Sequence, residues 1–268
     1  MSLGKARGLA SACQEQSKDV PERVASRMWM AVVEYDGTEY LGFQIQRTGR
    51  TVQGELERAI AQVTQHTCRV VGAGRTDTGV HALGQMIHFR VPWRHEPVDL
   101  QRALNAVLAE DVAIRELSQA PPGFHSRFSA RSRQYRYTVY DCGVRSPLLR
   151  HRACHCGRPL DEEMMDRACR CLVGRHDFLP FGWPPGGENT VRNVFSAGVR
   201  REGDTVVFDI EADAFLRRMV RRLAGNLILV GTGALSVEGF AELMTLRHRR
   251  TPAVDAPPQG LCLVHVNY

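Results

Sequence analysis

The chain has 268 residues, of which 43% are hydrophobic and 24% charged, and 35 lysines and arginines outnumber 29 acidic residues. This length and apolar content exclude a disordered chain and allow one large domain or two of ordinary size. The longest apolar run, 223–235, is shorter than the roughly 20 residues that span a bilayer and is broken by glycines, so we expect no membrane insertion.

The first half of the chain alternates short strands with amphipathic helices. Residues 1–27 are small and polar without an apolar period, and we expect them to form a disordered extension. Apolar residues recur at helical spacing behind Thr51, a typical helix cap. The periodicity predicts strands at 30–35, 68–71, 85–91 and 112–117, with helices over 52–63 and 100–108.

The Ala-Pro-Pro-Gly segment at 120–123 breaks this series, and we place a boundary there between halves 28–119 and 120–268. The second half predicts a strand at 134–140, a helix at 161–173, a hairpin over 194–212 turning at 201–204, a long helix from Phe215, a short helix after Ser236 and a strand at 261–266. This mixed order favours an α+β fold with two similar halves and largely antiparallel sheets. Any active site should then lie between the halves.

One loop concentrates reactive side chains. Residues 72–82, Gly-Ala-Gly-Arg-Thr-Asp-Thr-Gly-Val-His-Ala, follow a predicted strand. They are not a dinucleotide fingerprint, because Asp77 stands where the third glycine is needed, and they lack the Lys-Ser/Thr pair of a phosphate loop. A carboxylate beside Arg75 favours its ionised form, which suits a nucleophile or base. The alternative on residue types alone is a structural turn with a surface ion pair.

Arginine supplies nearly all of the positive charge. Only Lys5 and Lys18 are lysines among the 35 basic residues. The chain beyond residue 18 therefore has no amine for a Schiff base. Genomic nucleotide bias would explain an arginine excess, whereas the functional alternative is bidentate contact with phosphate, so the location of the arginines must decide.

Two stretches carry an arginine bias. Between 121 and 152, seven arginines face one acid, Asp141, and aromatic residues are interleaved with them. This combination is typical of nucleic-acid binding. Aromatic side chains in the stretch either stack on bases or belong to the core; we favour the core for Tyr137 and leave Tyr135 open. The seven arginines are Arg127, Arg131, Arg133, Arg136, Arg145, Arg150 and Arg152.

The second stretch lies at the start of the helix predicted from Phe215. Its four arginines occupy about 140° of the helical wheel, and the helix has no acid to pair with them. A basic face is often only solvated. The pattern otherwise indicates anion contact, or one arginine turned towards a buried carboxylate. The four are Arg217, Arg218, Arg221 and Arg222.

Eight cysteines are dispersed along the chain. Two Cys-x-Cys pairs, at 154–156 and 169–171, lie near His151 and His155, but zinc ligands usually have two to four residues between them. We expect ordinary reduced cysteines in a reducing, cytoplasmic compartment and no metal.

The ordered set of motifs resembles the TruA-type tRNA pseudouridine synthases over 28–268. Each motif is weak alone, but their common order makes coincidence improbable. They are Tyr-Asp-Gly at 35–37, Gly-Phe-Gln-Ile-Gln at 42–46, Thr-Val-Gln at 51–53, Gly-Arg-Thr-Asp at 74–77, Gly-Val-His-Ala at 79–82, Phe-His-Ser-Arg-Phe-Ser-Ala at 124–130, Arg-Gln-Tyr-Arg-Tyr at 133–137, Gly-Arg-His-Asp-Phe at 174–178, Val-Arg-Asn-Val at 191–194, Ala-Phe-Leu at 214–216, Met-Val-Arg at 219–221 and Gly-Leu at 260–261.

The resemblance implies a pseudouridine synthase fold with two ferredoxin-like halves and a basic cleft between them. It implies that Asp77 is the catalytic aspartate, as nucleophile or base, that Arg221 pairs with it, and that Tyr135 packs on the target uracil and in one version of the mechanism accepts a proton. The implied reaction converts uridine to pseudouridine at positions 38 to 40 of tRNA, without a cofactor, in a homodimer. We expect RNA contacts from Arg75, Arg127, Arg131, Arg133, Arg217, Arg218 and Arg222.

Three alternatives stay open at this point: a non-catalytic RNA-binding module, a zinc-dependent nucleic-acid enzyme, and a synthase with another RNA target. The chain departs from the family's common pattern in its 27-residue extension, in the Gly-Trp-Pro-Pro-Gly-Gly loop at 182–187 and in its cysteine density.

Overall fold

The computed structural model describes residues 25–184, 186–248 and 255–268. The described strands are β1 (Arg27–Tyr35), β2 (Val71–Gly72), β3 (His81–Val91), β4 (Val112–Gln119), β5 (Ser132–Tyr140), β6 (Cys154–His155), β7 (Gly174–Asp177), β8 (Val191–Glu202), β9 (Thr205–Ala212) and β10 (Leu261–Asn267). The helices are α1 (Val52–Thr64), α2 (Pro97–Val107), α3 (Glu162–Cys169), α4 (Met219–Gly231) and α5 (Val237–Leu243). Most of the extension predicted at 1–27 lies outside the described residues, and Arg27 already belongs to β1.

All of these strands form one sheet, in the order β4-β1-β3-β10-β5-β9-β8-β7, with β2 added to β3 and β6 added to β5. The two halves have the same strand arrangement. With β6 and β7 set aside, the fourth, first, third and second strands of each half lie side by side in the sheet, as β4-β1-β3-β2 and as β10-β5-β9-β8. The pairings are antiparallel except β10 with β3 and β5 with β6. The expected α+β, largely antiparallel fold is confirmed. The halves share a single sheet, however, because the last strand joins them.

Alternating burial along β1 and β5 places the core on one face of these strands. In β1 every second residue is buried, including Trp29, Val33 and Tyr35. The buried side of α1, with Leu56 and Ile60, belongs to the same core. Burying each large apolar side chain contributes about 2 kcal/mol. The strand register is thereby specified, since a slip of one residue would turn these side chains to the other face.

Side-chain caps begin three of the helices where the sequence predicts their starts. The Thr51 hydroxyl accepts a hydrogen bond from the Gly54 N–H at 3.3 Å, and the Ser236 hydroxyl accepts one from the Gly239 N–H at 2.9 Å. The Asp161 carboxylate likewise accepts from the Met164 N–H at 2.9 Å. Each cap satisfies a backbone donor that has no partner within the helix.

The prediction of a strand at 68–71 is wrong, since only Val71 of that range belongs to β2. Side chains of α1 replace a neighbouring strand there. The Glu57 carboxylate accepts from the Val70 N–H at 3.0 Å, and the Gln53 amide donates to the Val70 carbonyl at 2.8 Å. Once these backbone groups are satisfied, the segment needs no sheet partner.

The helix predicted from Phe215 begins four residues later, at Met219. Arg218 has a left-handed backbone conformation (φ +66°), and Arg217 exchanges backbone hydrogen bonds with Trp183. A left-handed residue cannot continue a right-handed helix towards its N-terminus. The short strands β6 and β7 were not predicted, because they are too short to show an alternating pattern.

Candidate active site

The loop that carries Asp77 lies where the two halves meet. Residues 73–80 join β2 to β3, and β3 changes partner beside this loop. One part of β3 pairs with β2, through Ile87 and His88, and its first residues pair with β10. The loop therefore leads into the end of β3 that pairs with the strand from the other half.

The backbone of this loop is held by the segment that follows β1. The Phe43 N–H donates to the Thr76 carbonyl at 3.1 Å. Gly42 is required for this contact, since its φ is +93° and a Cβ there would lie 2.7 Å from the same carbonyl oxygen. The Thr76 hydroxyl is within hydrogen-bond distance of the Tyr35 hydroxyl at 2.8 Å. Asp77 therefore follows a residue that is fixed from two sides.

Gln85 is a positioning residue that the sequence reading missed. Its fully buried side chain accepts from the Gly74 N–H at 3.2 Å and donates to the Gly74 carbonyl at 2.8 Å. The pair of bonds fixes the start of the Asp77 loop. The sequence does indicate this role, because Gln85 lies on the same face of the strand as the buried Ile87 and Phe89. A polar residue in an inward position needs a hydrogen-bond partner.

Arg221, in the first turn of α4, points towards Asp77. Its Nη1 lies 3.8 Å from the Asp77 Oδ2, which makes an ion pair but not a hydrogen bond. The arginine side chain is 14% exposed and the aspartate side chain 30%. The Arg221 Nε donates to the Ala256 carbonyl at 2.7 Å, and the Ala256 N–H donates back to the Arg221 carbonyl at 3.1 Å. The guanidinium is thus oriented by a segment remote in sequence.

Tyr135, on β5, forms the third side of the site. It is 8% exposed, and its ring meets that of Phe215 edge to face with centroids 5.0 Å apart. A Cβ placed on Gly74 would lie 3.5 Å from its hydroxyl, so the ring reaches the start of the Asp77 loop. Burial raises the pKa of the Tyr135 hydroxyl above its ordinary value, and the nearby Asp77 charge adds to this. The hydroxyl therefore stays protonated at neutral pH.

Arg218 and Arg222, two of the expected RNA contacts, share a protein partner. The Arg222 Nε donates to Asp255 at 2.8 Å, and the Arg218 Nη1 donates to its other oxygen at 2.9 Å. The Arg222 guanidinium also lies over the Trp183 ring, 4.1 Å from the centroid. The two arginines thus fix Asp255, which precedes the residue that orients Arg221.

Arg133, another of the expected RNA contacts, bonds to backbone carbonyls. Its side chain is buried, and burial lowers the pKa of its guanidinium. One nitrogen, Nη2, donates to the carbonyls of Ala73 at 3.2 Å and Arg127 at 2.6 Å, while Nη1 donates to that of Asp213 at 2.7 Å. Arg133 therefore ties the Asp77 loop to the 124–130 loop.

The other expected RNA contacts are at the surface. Their side chains are exposed, and within the described residues none of them forms an ion pair. They are Arg75, Arg127, Arg131 and Arg217.

Seven cysteines in the described part of the chain are free thiols; Cys13 lies outside it. Residues 25–184, 186–248 and 255–268 hold no cluster of three or more His, Cys, Asp or Glu side chains suited to a metal ion. None of their helices has the length and hydropathy needed to cross a membrane.

A carboxylate, an arginine and a tyrosine therefore meet between two copies of one strand arrangement. The sequence model of a family described as tRNA pseudouridine synthase matches residues 31–129 and 168–268, which include Asp77 and Arg221, whereas Tyr135 lies between the two matched ranges. The chain belongs to the tRNA pseudouridine synthase family.

Individual relatives agree with this family. A protein named tRNA pseudouridine synthase A from Klebsiella pneumoniae (strain 342) is 41% identical over 237 residues, covering 88% of each chain. The protein of the same name from Roseiflexus castenholzii is 43% identical over 240 residues, again covering 88% of each. The one from Geotalea uraniireducens is 40% identical over 238 residues, covering 88% of this chain and 98% of its own. These similarities support isomerisation of uridine in tRNA as the reaction class.

Proposed function

We propose that this chain converts uridine to pseudouridine at positions 38 to 40, in the anticodon arm of tRNA, and that Asp77 is the group on which the chemistry depends. The observation that carries the proposal is the ion pair between Asp77 and Arg221, whose charged atoms are 3.8 Å apart. Asp77 lies in a loop that is held by contacts from both halves. The choice of anticodon-arm positions comes from the resemblance to the TruA-type enzymes.

The reaction requires a base or nucleophile but no external reagent. The bond between N1 of the uracil and C1′ of the ribose breaks, the uracil turns, and C5 bonds to C1′. The hydrogen from C5 is lost and N1 gains one, so product and substrate are isomers. Asp77 either adds to the substrate or removes a ribose proton, and both routes use its carboxylate form. Arg221 stabilises that negative charge and fixes the direction of the carboxylate.

Tyr135 is suited to hold the uracil during the rotation. Its ring is fixed against Phe215, and an aromatic face stacks on any base. A phenol whose pKa is raised by burial remains neutral, which favours this stacking role over the role of proton acceptor. The cofactor-free mechanism needs only these side chains and the substrate.

A uridine within an RNA arm must leave its stack before it reaches Asp77, which costs a few kcal/mol. Exposed arginines near the site offset this cost through contacts with the RNA backbone. Arg75, two residues before Asp77, is the nearest along the chain, and Arg127, Arg131 and Arg217 are the other exposed members.

The proposal includes a homodimer, carried over from the resemblance, and a cytoplasmic location. Free thiols at the seven described cysteines fit a reducing compartment. Sedimentation at micromolar concentration tests the dimer, and a monomer at all concentrations would remove it from the proposal.

The test is to incubate wild type and Asp77→Asn with unmodified tRNA and to map pseudouridine at each uridine. We expect product at positions 38 to 40 with the wild type only, and similar tRNA affinity for both. Asp204→Asn is a matched control, because this carboxylate is exposed in the turn between β8 and β9; it should be as active as wild type.

Other results overturn separate parts of the proposal. No product from the wild type at any uridine refutes the activity. Product from Asp77→Asn refutes the role of Asp77 and favours a different catalytic group. Product on other RNA but not on an anticodon arm refutes the site, and stoichiometric zinc in the purified, active protein would revive the metal-dependent alternative.

A further inference from the structure

A stack of aromatic rings next to the site ends at the protein surface. The rings of His125 and Phe128 are stacked, with centroids 4.4 Å apart and planes inclined by 29°. On its inner side, His125 meets the buried His88 edge to face at 4.7 Å. Phe128 is 76% exposed. The series therefore runs from the core outwards and stops at an exposed aromatic side chain.

Hydrogen bonds hold the backbone turn that carries this exposed ring. The His125 Nδ1 accepts from the N–H groups of Arg127 and Phe128, both at 3.2 Å. The Ser129 hydroxyl accepts from the His125 N–H at 3.0 Å, and the Ser129 N–H donates to the His125 carbonyl at 2.9 Å. The backbone at Phe128 is therefore fixed, while its side chain is exposed to solvent.

The stack is attached to the chain that leads into the Asp77 loop. The buried Ser126 hydroxyl donates to the Val71 carbonyl at 2.8 Å. Arg133 adds a second connection, since its Nη2 bonds both the Arg127 carbonyl and the Ala73 carbonyl. Phe128 is therefore held at a constant position relative to the residues just before Asp77.

The charge around Phe128 favours a polyanion. The Arg127 guanidinium lies 5.6 Å from the centroid of its ring, and Arg131 is exposed nearby in the chain. No acidic residue occurs between Leu117 and Tyr140. An aromatic ring beside unpaired arginines is the combination that binds single-stranded RNA, because bases stack on the ring while guanidinium groups contact phosphates.

We propose that Phe128, backed by His125 and flanked by Arg127, stacks on an unpaired base of the tRNA close to the target uridine. This inference rests on the proposed function and adds a second aromatic contact to that of Tyr135. Tyr135 holds the base that reacts, whereas Phe128 holds a neighbouring base, and the two contacts together fix the position of the RNA across the loop.

The test measures tRNA affinity in the Asp77→Asn background, so that turnover does not interfere. Phe128→Ala should weaken binding by about 5- to 150-fold, the equivalent of one base stacked on an aromatic ring. The dependence of affinity on salt should keep the wild-type slope, because no charge is lost. Arg127→Gln should instead reduce that slope by about one.

Conservative variants separate stacking from general apolar contact and from folding. The Phe128→Trp variant should bind tRNA as tightly as the protein with Phe128. The Phe128→Leu variant keeps apolar bulk but has no ring face, so it should bind tRNA as weakly as the Phe128→Ala variant. Leu148→Ala is the matched control, because Leu148 is 88% exposed and not aromatic; it should leave affinity unchanged. A 2-aminopurine in the anticodon loop should be quenched by the protein, and less so by Phe128→Ala.

Two outcomes overturn the inference while leaving the proposed function intact. In the first, the wild-type enzyme forms pseudouridine and the Phe128→Ala variant binds tRNA and forms pseudouridine at wild-type levels. The exposed ring then serves a protein partner or a second copy of the chain. The other is a Phe128→Leu variant with wild-type affinity, which rules out stacking. A wild type without pseudouridine activity refutes the proposed function, and the affinity series still reports on Phe128 separately.

Discussion

The two arginine-rich stretches look alike in sequence but differ in the structure. Between 217 and 222, Arg218 and Arg222 hold Asp255 and Arg221 faces Asp77, so three of four arginines have acidic partners. Between 121 and 152, Arg127 and Arg131 remain exposed without an acid within the described residues. A local shortage of acids therefore does not by itself indicate RNA contact, because the folded chain supplies acids from far away.

The difference follows from where each stretch lies. The second begins a helix packed into the core, where an unpaired guanidinium would be costly, and its partners come from segments distant in sequence. Arg127 and Arg131 of the first stretch lie in the surface loop before β5, where water solvates an arginine at little cost. Two other arginines of the first stretch do have acidic partners, because Arg136 bonds Asp209 and Arg152 lies 3.6 Å from Asp36.

The largest effect is expected at Arg221, the arginine that forms the ion pair with Asp77. Arg221→Gln removes the charge opposite Asp77, and the single-turnover rate on tRNA should fall by about 10²- to 10³-fold, as when an electrostatic partner of a reacting group is removed. Affinity for tRNA should change little. Arg102→Gln, on α2 and 77% exposed, is the control. An Arg221→Gln rate within threefold of wild type contradicts the assigned role.

Asp255→Asn should lower the stability of the fold as well as the rate. It weakens charge-assisted hydrogen bonds to Arg218 and Arg222, which should cost about 2 kcal/mol of unfolding free energy. Thermal denaturation should show a midpoint about 5 °C lower. Arg221 loses support through Ala256, so kcat should fall while KM stays constant. An unchanged midpoint would show that Asp255 is not a structural partner.

Acid should remove the contribution of Asp209 to stability. Burial opposes ionisation, but hydrogen bonds from Arg136 and Arg200 outweigh it and hold the pKa of Asp209 below its usual range. Such a group stabilises the fold above its unfolded pKa, near 4, and loses that contribution as the pH falls through the folded pKa. Asp209→Asn should cost about 1 kcal/mol at pH 7 in urea titrations. The difference from wild type should shrink below about pH 4, and a constant difference contradicts the assignment.

The smallest effects are expected at exposed arginines, whichever stretch they belong to. Arg131→Gln and Arg217→Gln should each change unfolding free energy by less than about 0.5 kcal/mol. Each should reduce the salt slope of tRNA binding by about one if its side chain contacts a phosphate. Binding titrations at several salt concentrations measure this. A normal slope for either variant removes that arginine from the RNA contacts.

Local pattern was sufficient for most of the secondary structure. The caps at Thr51, Asp161 and Ser236 and the hairpin of β8 and β9 follow from residue type and spacing, because a cap or a turn is made by neighbours along the chain. The failures have non-local causes. The segment at 68–70 is satisfied by α1 side chains, and the start of α4 is set by backbone contact with Trp183.

The sequence by itself determined which residue types were available: one carboxylate in a glycine-rich loop, arginine in place of lysine, and the ordered motifs of the family. Only the tertiary structure decided their partners. It brought Arg221 to Asp77, gave Asp255 to Arg218 and Arg222, buried Arg133 and left Phe128 exposed. Charge and ring contacts depend on distance in space, and residues up to 144 positions apart become neighbours only when β10 joins the two halves into one sheet.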